Sequence, residues 1–273
     1  MQTLKCISKI ILLVLLVSCE DVVNINLTTA APRLVINASI NWQKGTDGKI
    51  QKVLLSTTTD FYSNEITKVS GATVKISNSD NIIFNFTEIP NTGEYVCINF
   101  VPIIGETYFL TVTYKNEVYT ATETMQSVTK IETITQVNNS GFSGKDYEIR
   151  VFFSDPLTVN YYMVKFFPDY LKTPIFEARG DEFTNGNEKS WSYSSPDLKP
   201  GNTVAITHYG ISKNYYNYMN KLISISGSSG GGSPFQTPPA TLRGNFINQT
   251  TIENYALGYF SLGEIDTQNY KIE

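Results

Sequence analysis

From Thr107 to Tyr114 the chain alternates: Tyr108, Leu110, Val112 and Tyr114 are large and apolar, while Thr107, Thr111 and Thr113 lie between them. A period of two marks a strand with one face in a core. Similar β-rich runs cover Leu34 to Ile40, Lys52 to Thr58, Ala72 to Ser77, Ile82 to Thr87 and Val118 to Ala121. Turn residues separate them: Lys44 to Gly48, Asn78 to Asn81, and Lys115-Asn116. Strands recurring at such short intervals with no helical period predict an antiparallel sandwich, placed at 33–125.

A second block, 126–273, starts near Val128 after the polar stretch Thr122 to Ser127. Tyr147 to Phe153 and Tyr161 to Phe167 read as strands, and so do Leu242 to Ile247 and Tyr255 to Leu262 at the end of the chain. One segment differs. Ser212 can cap a first turn, and Tyr215, Tyr218, Met219 and Leu222 follow at helical spacing, which predicts an amphipathic helix near 212–223 packed on a sheet. Gly227 to Ser233 is a flexible Gly/Ser tract, and Pro234 to Pro239 is stiff and extended. The expected fold class is mainly β: two antiparallel β-sandwich modules, with one helix in the second.

The first 18 residues do not belong to this pattern. Lys5 and Lys9 precede the apolar run Ile10 to Val17, which ends at Ser18-Cys19 and is closed by Glu20-Asp21. A spanning helix needs about 20 apolar residues, so this run is too short to cross a bilayer and reads as an export signal, 1–18, that is removed. Leu16-Val17-Ser18-Cys19 resembles the bacterial lipobox, in which the cysteine receives diacylglycerol. Cys19 is therefore the expected lipidation site, and residues 19–32 form an anchor and lead segment. With two or more acyl chains at ~0.8 kcal/mol per buried CH₂, the bilayer becomes a stable partner. The pair Glu20-Asp21 resembles the signal by which Bacteroidota send lipoproteins to the outer face of the outer membrane.

Composition supports the β reading and limits the partners. Charged residues are 17% of the chain, against a usual fraction of about 25%, while 17 Tyr and 15 Phe suit the surface of a sheet. Lys5 and Lys9 leave with the signal, so 21 bases fall to 19 against 25 acids. The bases show no clustered face, and nucleic acid is not an expected partner. Once Cys6 leaves and Cys19 is acylated, Cys97 is alone in the apolar stretch Tyr95 to Ile98, as a buried small hydrophobe.

Four sets of residues invite a chemical reading. Gly227-Ser228-Ser229-Gly230-Gly231 fits G-x-S-x-G, but a nucleophile elbow needs a strand before it and a helix after it. Here a helix precedes and Pro234 follows, so the tract reads as a loop. His208 is the sole histidine, expected where a strand meets the helix; proton transfer competes there with a structural role. Asp181, Glu182, Asn185, Asn187 and Glu188 supply oxygen ligands of the kind calcium prefers, but Asn185-Gly186 is equally a hairpin turn pair. Tyr161, Tyr162, Phe166, Phe167 and Tyr170, with Trp191 and Tyr193, could form a stacking platform for a small glycan or peptide, although alternation sends about half of such a set into a core. No catalytic set, cofactor or metal site is assembled by the sequence.

Several scattered pieces resemble the domain-of-unknown-function 4249 family of Bacteroidota lipoproteins. They are Ser18-Cys19-Glu20-Asp21-Val22-Val23-Asn24-Ile25-Asn26-Leu27, Val69-Ser70-Gly71-Ala72-Thr73-Val74 and Gly105-Glu106-Thr107-Tyr108-Phe109-Leu110. Pro234 to Pro239, Arg243-Gly244-Asn245 and Ala256-Leu257-Gly258-Tyr259-Phe260 complete the set. The resemblance implies a transthyretin-like or immunoglobulin-like N-terminal sandwich and an outer-membrane lipoprotein associated with a TonB-dependent transporter. It supplies no catalytic residues. The leading expectation is a non-enzymatic, surface-exposed accessory or ligand-binding lipoprotein. The alternatives are a structural or adhesive surface protein, and, third, a hydrolase using His208.

Overall fold

The computed structural model describes residues 31–60, 63, 65–141, 144–182, 185–226 and 242–273. The export segment, Cys19, Glu20-Asp21, the G-x-S-x-G tract and Pro234 to Pro239 lie outside the described residues.

The first seven strands are β1 (Leu34–Gln43), β2 (Gln51–Thr57), β3 (Thr73–Asn78), β4 (Ile83–Ile89), β5 (Glu94–Cys97), β6 (Thr107–Tyr114) and β7 (Glu117–Thr124). Each expected run in this region becomes a strand. The predicted alternation of β6 is realised: Tyr108, Leu110 and Val112 have no exposure, while Phe109 on the other face is 41% exposed. Turn chemistry sets the registers. Lys115 and Asn116 both take positive φ, 48° and 63°, in the two-residue turn that pairs Tyr114 with Glu117. At the β3–β4 hairpin, the Asn78 side chain accepts the Ile82 N–H at 2.8 Å.

Eight further strands follow: β8 (Thr133–Ser140), β9 (Asp146–Ser154), β10 (Tyr161–Pro168), β11 (Ile175–Gly180), β12 (Glu188–Ser195), β13 (Thr203–Ile211), β14 (Ile247–Asn248) and β15 (Leu257–Lys271). The helix α1 spans Lys213–Ser226 between β13 and β14. One continuous sheet runs β11-β10-β13-β15-β1-β2-β5-β4-β3-β6-β7-β14, and a three-stranded sheet runs β12-β9-β8. The long sheet folds over itself around one core, which includes Ile36, Ile40, Phe100, Tyr108 and Phe260. At its other end it faces the short sheet across a second core, which includes Val151, Phe153, Val164, Phe166, Trp191 and Ile206. The fold is mainly β with one helix, and every strand pair is antiparallel except β1 with β15.

Three expectations are corrected. The end of the chain does not stay with the second block: Phe246, Ala256, Phe260 and Leu262 complete the first core. β15 is long enough to reach both cores, because it lies parallel to β1 at one end and antiparallel to β13 at the other. The run Leu242 to Ile247 yields ladder only at Ile247, since Asn245 takes over as a side-chain clamp. Its amide donates to the Phe260 carbonyl, and its carbonyl accepts the Phe260 N–H, both at 2.9 Å. Asn185-Gly186 joins no hairpin. β12 pairs with β9 rather than β11, because Trp191 and Tyr193 gain more by burial over Ile149 and Val151.

Cys97 is 1% exposed, its thiol meets Asn99 Oδ1 at 3.2 Å, and burial pushes its pKa up, as suits an inert core residue. At the β1–β15 seam, Gly258 holds φ at 95°, and a Cβ there would lie 2.1 Å from the Ile36 carbonyl oxygen. Gly258→Ala is expected to lower stability by about 2 kcal/mol or more, a Tm drop of roughly 5 °C. Gly45→Ala, with positive φ but open space around it, is the control and should shift Tm by less in the same thermal melts.

Candidate functional site

Both cores lie on one side of β10, β13, β15 and β1, so the opposite face of these strands is left to be covered. α1 covers part of it, burying Met163, Ile211 and Met219 in a third, smaller cluster. Ser212 caps the helix: its hydroxyl oxygen accepts the Tyr215 N–H at 3.2 Å, and its carbonyl accepts the Tyr216 N–H at 2.9 Å. The same hydroxyl donates to Glu123 Oε2 at 2.8 Å, which ties the helix start to β7. Burial raises the Glu123 pKa, partly offset by the Thr124 N–H and by this hydroxyl. Lys213, a cation at the wrong end of a helix dipole, is paired with Glu182 at 2.9 Å.

From this start the helix drops tyrosines onto the sheet. Tyr215 and Tyr218 each bring their ring centroid to 4.8 Å from that of Tyr259 in β15. Burial raises the Tyr215 pKa against hydroxyl contacts with Ser261 and Ser39, which are ladder partners across β15 and β1. Beside and beneath the helix lies an open groove of about 590 Å³. Its floor carries Asn37, Ser39 and Asn41 of β1 with Ser261 of β15, and its apolar wall includes Met163, Phe176, Met219 and Leu222. Lys52 and Lys165 supply its charges.

The aromatic platform is corrected by these positions. Tyr162, Phe166, Trp191 and Tyr193 are buried in the second core, and Tyr170 joins them through a 2.8 Å hydroxyl contact with Tyr193. Tyr161 lies on the opposite face, its ring 5.2 Å from Tyr216 of α1, and Phe167 is 39% exposed. The seven residues therefore divide between two faces of β10 and the core side of the short sheet. Period-two alternation makes a single platform from neighbouring residues impossible.

His208 sits in β13 with no exposure, its ring 4.3 Å from Phe153 and 5.1 Å from Tyr162. Neither ring nitrogen makes a well-formed hydrogen bond. Burial drives its pKa down to about 3, and the Thr129 backbone recovers only part of that. It is a neutral core residue, far from the exposure that proton exchange with a substrate needs.

The oxygen-rich loop is also committed internally. Asp181 accepts the Asn160 N–H at 2.7 Å, and Lys189 lies 3.1 Å from Asp155 and 3.9 Å from Asp181. Asp155 also accepts the Tyr162 hydroxyl at 2.8 Å. Among the described residues, no group of three or more His, Cys, Asp and Glu side chains is arranged to hold a metal ion.

The sequence reading missed the groove. A signal was present in β1, where Leu34, Ile36, Ala38 and Ile40 alternate with Val35, Asn37, Ser39 and Asn41. A polar strand face normally looks at water. Only the return of β15 beside β1, with α1 arching from β13, turns that face into a floor.

These features define a class: a mainly β protein with two large cores, a smaller cluster under its helix and a tyrosine-roofed groove on the outer face of its long sheet. The family model described as domain of unknown function DUF4249 matches residues 20–269, and the chain belongs to that family. No curated protein matches. Among solved structures, a two-domain fibronectin type III segment of chicken tenascin is 13% identical, with 66% of this chain and 90% of that one covered at a TM-score of 0.22. A DUF4785 family protein from Legionella pneumophila is 10% identical, with 65% and 52% covered at 0.26. A cytokine receptor complex is 7% identical, with 87% and 95% covered at 0.24. Scores this low carry no argument about this chain.

Burial of neutral His208 makes stability depend on pH. Its folded pKa lies below the ordinary 6.5, so below pH 6.5 the unfolded chain takes up a proton that the folded chain refuses. The contribution is complete above about pH 6.5 and is lost as pH falls toward about 3. By pH 5 the loss should be on the order of 2 kcal/mol. Urea unfolding of the native chain and His208→Phe at pH 7 and pH 5 checks this; the variant should lose less stability between the two.

Proposed function

We propose that this protein is an outer-membrane lipoprotein, anchored through Cys19 and facing the cell exterior. In this reading it acts without catalysis as a ligand-binding accessory to a TonB-dependent transporter. The groove carries the reading. Its volume of about 590 Å³ falls within the usual range for small-ligand sites, and it combines apolar walls with a few convergent polar groups. Tyrosine rings with Asn and Ser side chains hold a ligand by stacking and hydrogen bonding, and they do so on rigid strands.

An exposed aliphatic ridge supports the protein-partner part. Ile98, Val101, Ile103 and Ile104 are 74%, 51%, 49% and 43% exposed on the connection between β5 and β6. Ile50, 75% exposed, stands beside them, because the Phe100 N–H donates to the Lys49 carbonyl at 3.1 Å. An aliphatic surface of this kind is usually covered by another protein. The anchor itself is supported by the lipobox-like Leu16 to Cys19.

The test is affinity purification of the full chain from gently solubilised outer membranes. A TonB-dependent barrel should co-elute, and Ile50→Asp with Ile98→Asp should remove it while the thermal melt stays unchanged. Recovery of the native protein alone would refute the transporter association. Recovery of Cys19→Ser still in the membrane fraction would refute the lipid anchor.

A further inference from the structure

We infer that the groove under α1 takes a small carboxylate with an apolar, ring-sized body, and that Lys165 is the seat of the carboxylate. This rests on the ligand-binding reading of the groove and names the class of ligand.

The argument begins with Lys165. It lies in β10 between Thr207 of β13 and Phe176 of β11, on the face opposite the second core. Its neighbours Val164 and Phe166 have no exposure and point into that core. Other lysines near carboxylates are satisfied: Lys44 by Glu264, Lys52 by Glu94, Lys189 by Asp155 and Lys213 by Glu182. Among the described residues, Lys165 forms no ion pair. Burial lowers its pKa, and no carboxylate opposes that shift. A partly desolvated cation without a counter-ion is costly to keep, and the cost falls when an anion arrives from outside.

The groove as a whole agrees in sign. Among the described residues, no acidic side chain lines it; the charged lining is Lys52 and Lys165. That runs against the chain's own balance of 25 acids to 21 bases. Lys52 already lies 3.7 Å from Glu94, so the groove offers one unshared positive charge. One charge matches a carboxylate better than a phosphate, which is held by several donors and cations at once. The apolar side chains beside Lys165, which are Met163, Phe176, Met219 and Leu222, fit a hydrocarbon or aromatic body. Asn37, Ser39 and Asn41 can meet hydroxyl or carbonyl groups farther along it.

Methionine supplies the readout. Met163 and Met219, 3% and 6% exposed, pack under α1 at the wall of the groove, whereas Met125, 1% exposed, lies away from it in the first core. With ¹³C-methyl methionine in the full chain in lipid nanodiscs, 4-phenylbutyrate, its neutral amide and inorganic phosphate are titrated separately. The carboxylate should shift the Met163 and Met219 methyl signals and leave Met125 in place, and it should bind about tenfold or more tightly than the amide. Lys165→Gln should bring the two affinities together, with an unchanged Met125 signal showing that the fold is intact.

Equal binding of acid and amide by the native chain overturns the carboxylate assignment and leaves the ligand groove standing. Phosphate that shifts the same methyl signals as strongly as the acid also overturns it. An acid preference that survives Lys165→Gln removes Lys165 as the seat. If no probe moves Met163 or Met219, the groove reading falls with the inference.

Discussion

The structure depends on one strand, β15, being shared by two cores and a connector. At its start Phe260 and Leu262 fill the first core, and beyond its end Ile272 fills the second. Between them the same side of the strand is polar and holds the chain that joins the halves. Glu264 accepts the Val128 N–H, Asp266 accepts the Ile131 N–H at 2.7 Å, and Gln268 donates to the Ile131 carbonyl at 2.9 Å. Buried backbone groups need such partners, and here a strand side chain provides each one. The first core cannot close until the last strand has arrived. Val35 pairs with Leu257, so the seam is a contact of very long sequence separation, which places this pairing late and slow in folding.

The other face of β15 explains the groove. Tyr259, Ser261 and Gly263 lie there, and a Cβ at Gly263 would come within 2.1 Å of the Gly210 carbonyl oxygen. Short residues in the floor leave depth, and Tyr259 meets the tyrosines that descend from α1. Ser212 and Glu123 then set where the helix begins, so the groove's roof is positioned from β7, an element of the first core. The roof is thus fixed by polar contacts at its start and by aromatic contacts along its length.

The fold class was legible because alternation is a local signal. β1 to β4, β6 and β7, then β9 and β10, announce themselves by period two or by turn residues, and Ser212 with Tyr215, Tyr218, Met219 and Leu222 announces the helix. What sequence could not supply was pairing. β5 has four residues, and β8 reads Thr-Ile-Thr-Gln-Val-Asn-Asn-Ser at a sheet edge with little burial, so neither carries a strong pattern. Whether β12 pairs with β11 or β9 depends on where Trp191 finds a core, and Asn185-Gly186 misled because a turn pair specifies a bend without specifying its neighbour. The candidate platform failed for a related reason. Seven aromatics close in sequence lie on different faces, while the groove collects residues as far apart as Asn37, Lys165, Tyr215 and Ser261.

Alternation also separates the core face of each strand from its groove face. In β10 the core takes Tyr162, Val164 and Phe166, and the groove takes Met163 and Lys165; in β1 the core takes Ile36, Ala38 and Ile40, and the groove takes Asn37, Ser39 and Asn41. A change at a groove position leaves the adjoining core residues untouched, because their side chains leave the sheet in opposite directions. A register slip of one residue would exchange the two sets and drive Lys165 into the aromatic core, so the register is held strongly. Glycines mark the exceptions. Gly258 and Gly263 lie where neighbouring strand backbone crowds against them, and there the groove face cannot be changed without disturbing the seams.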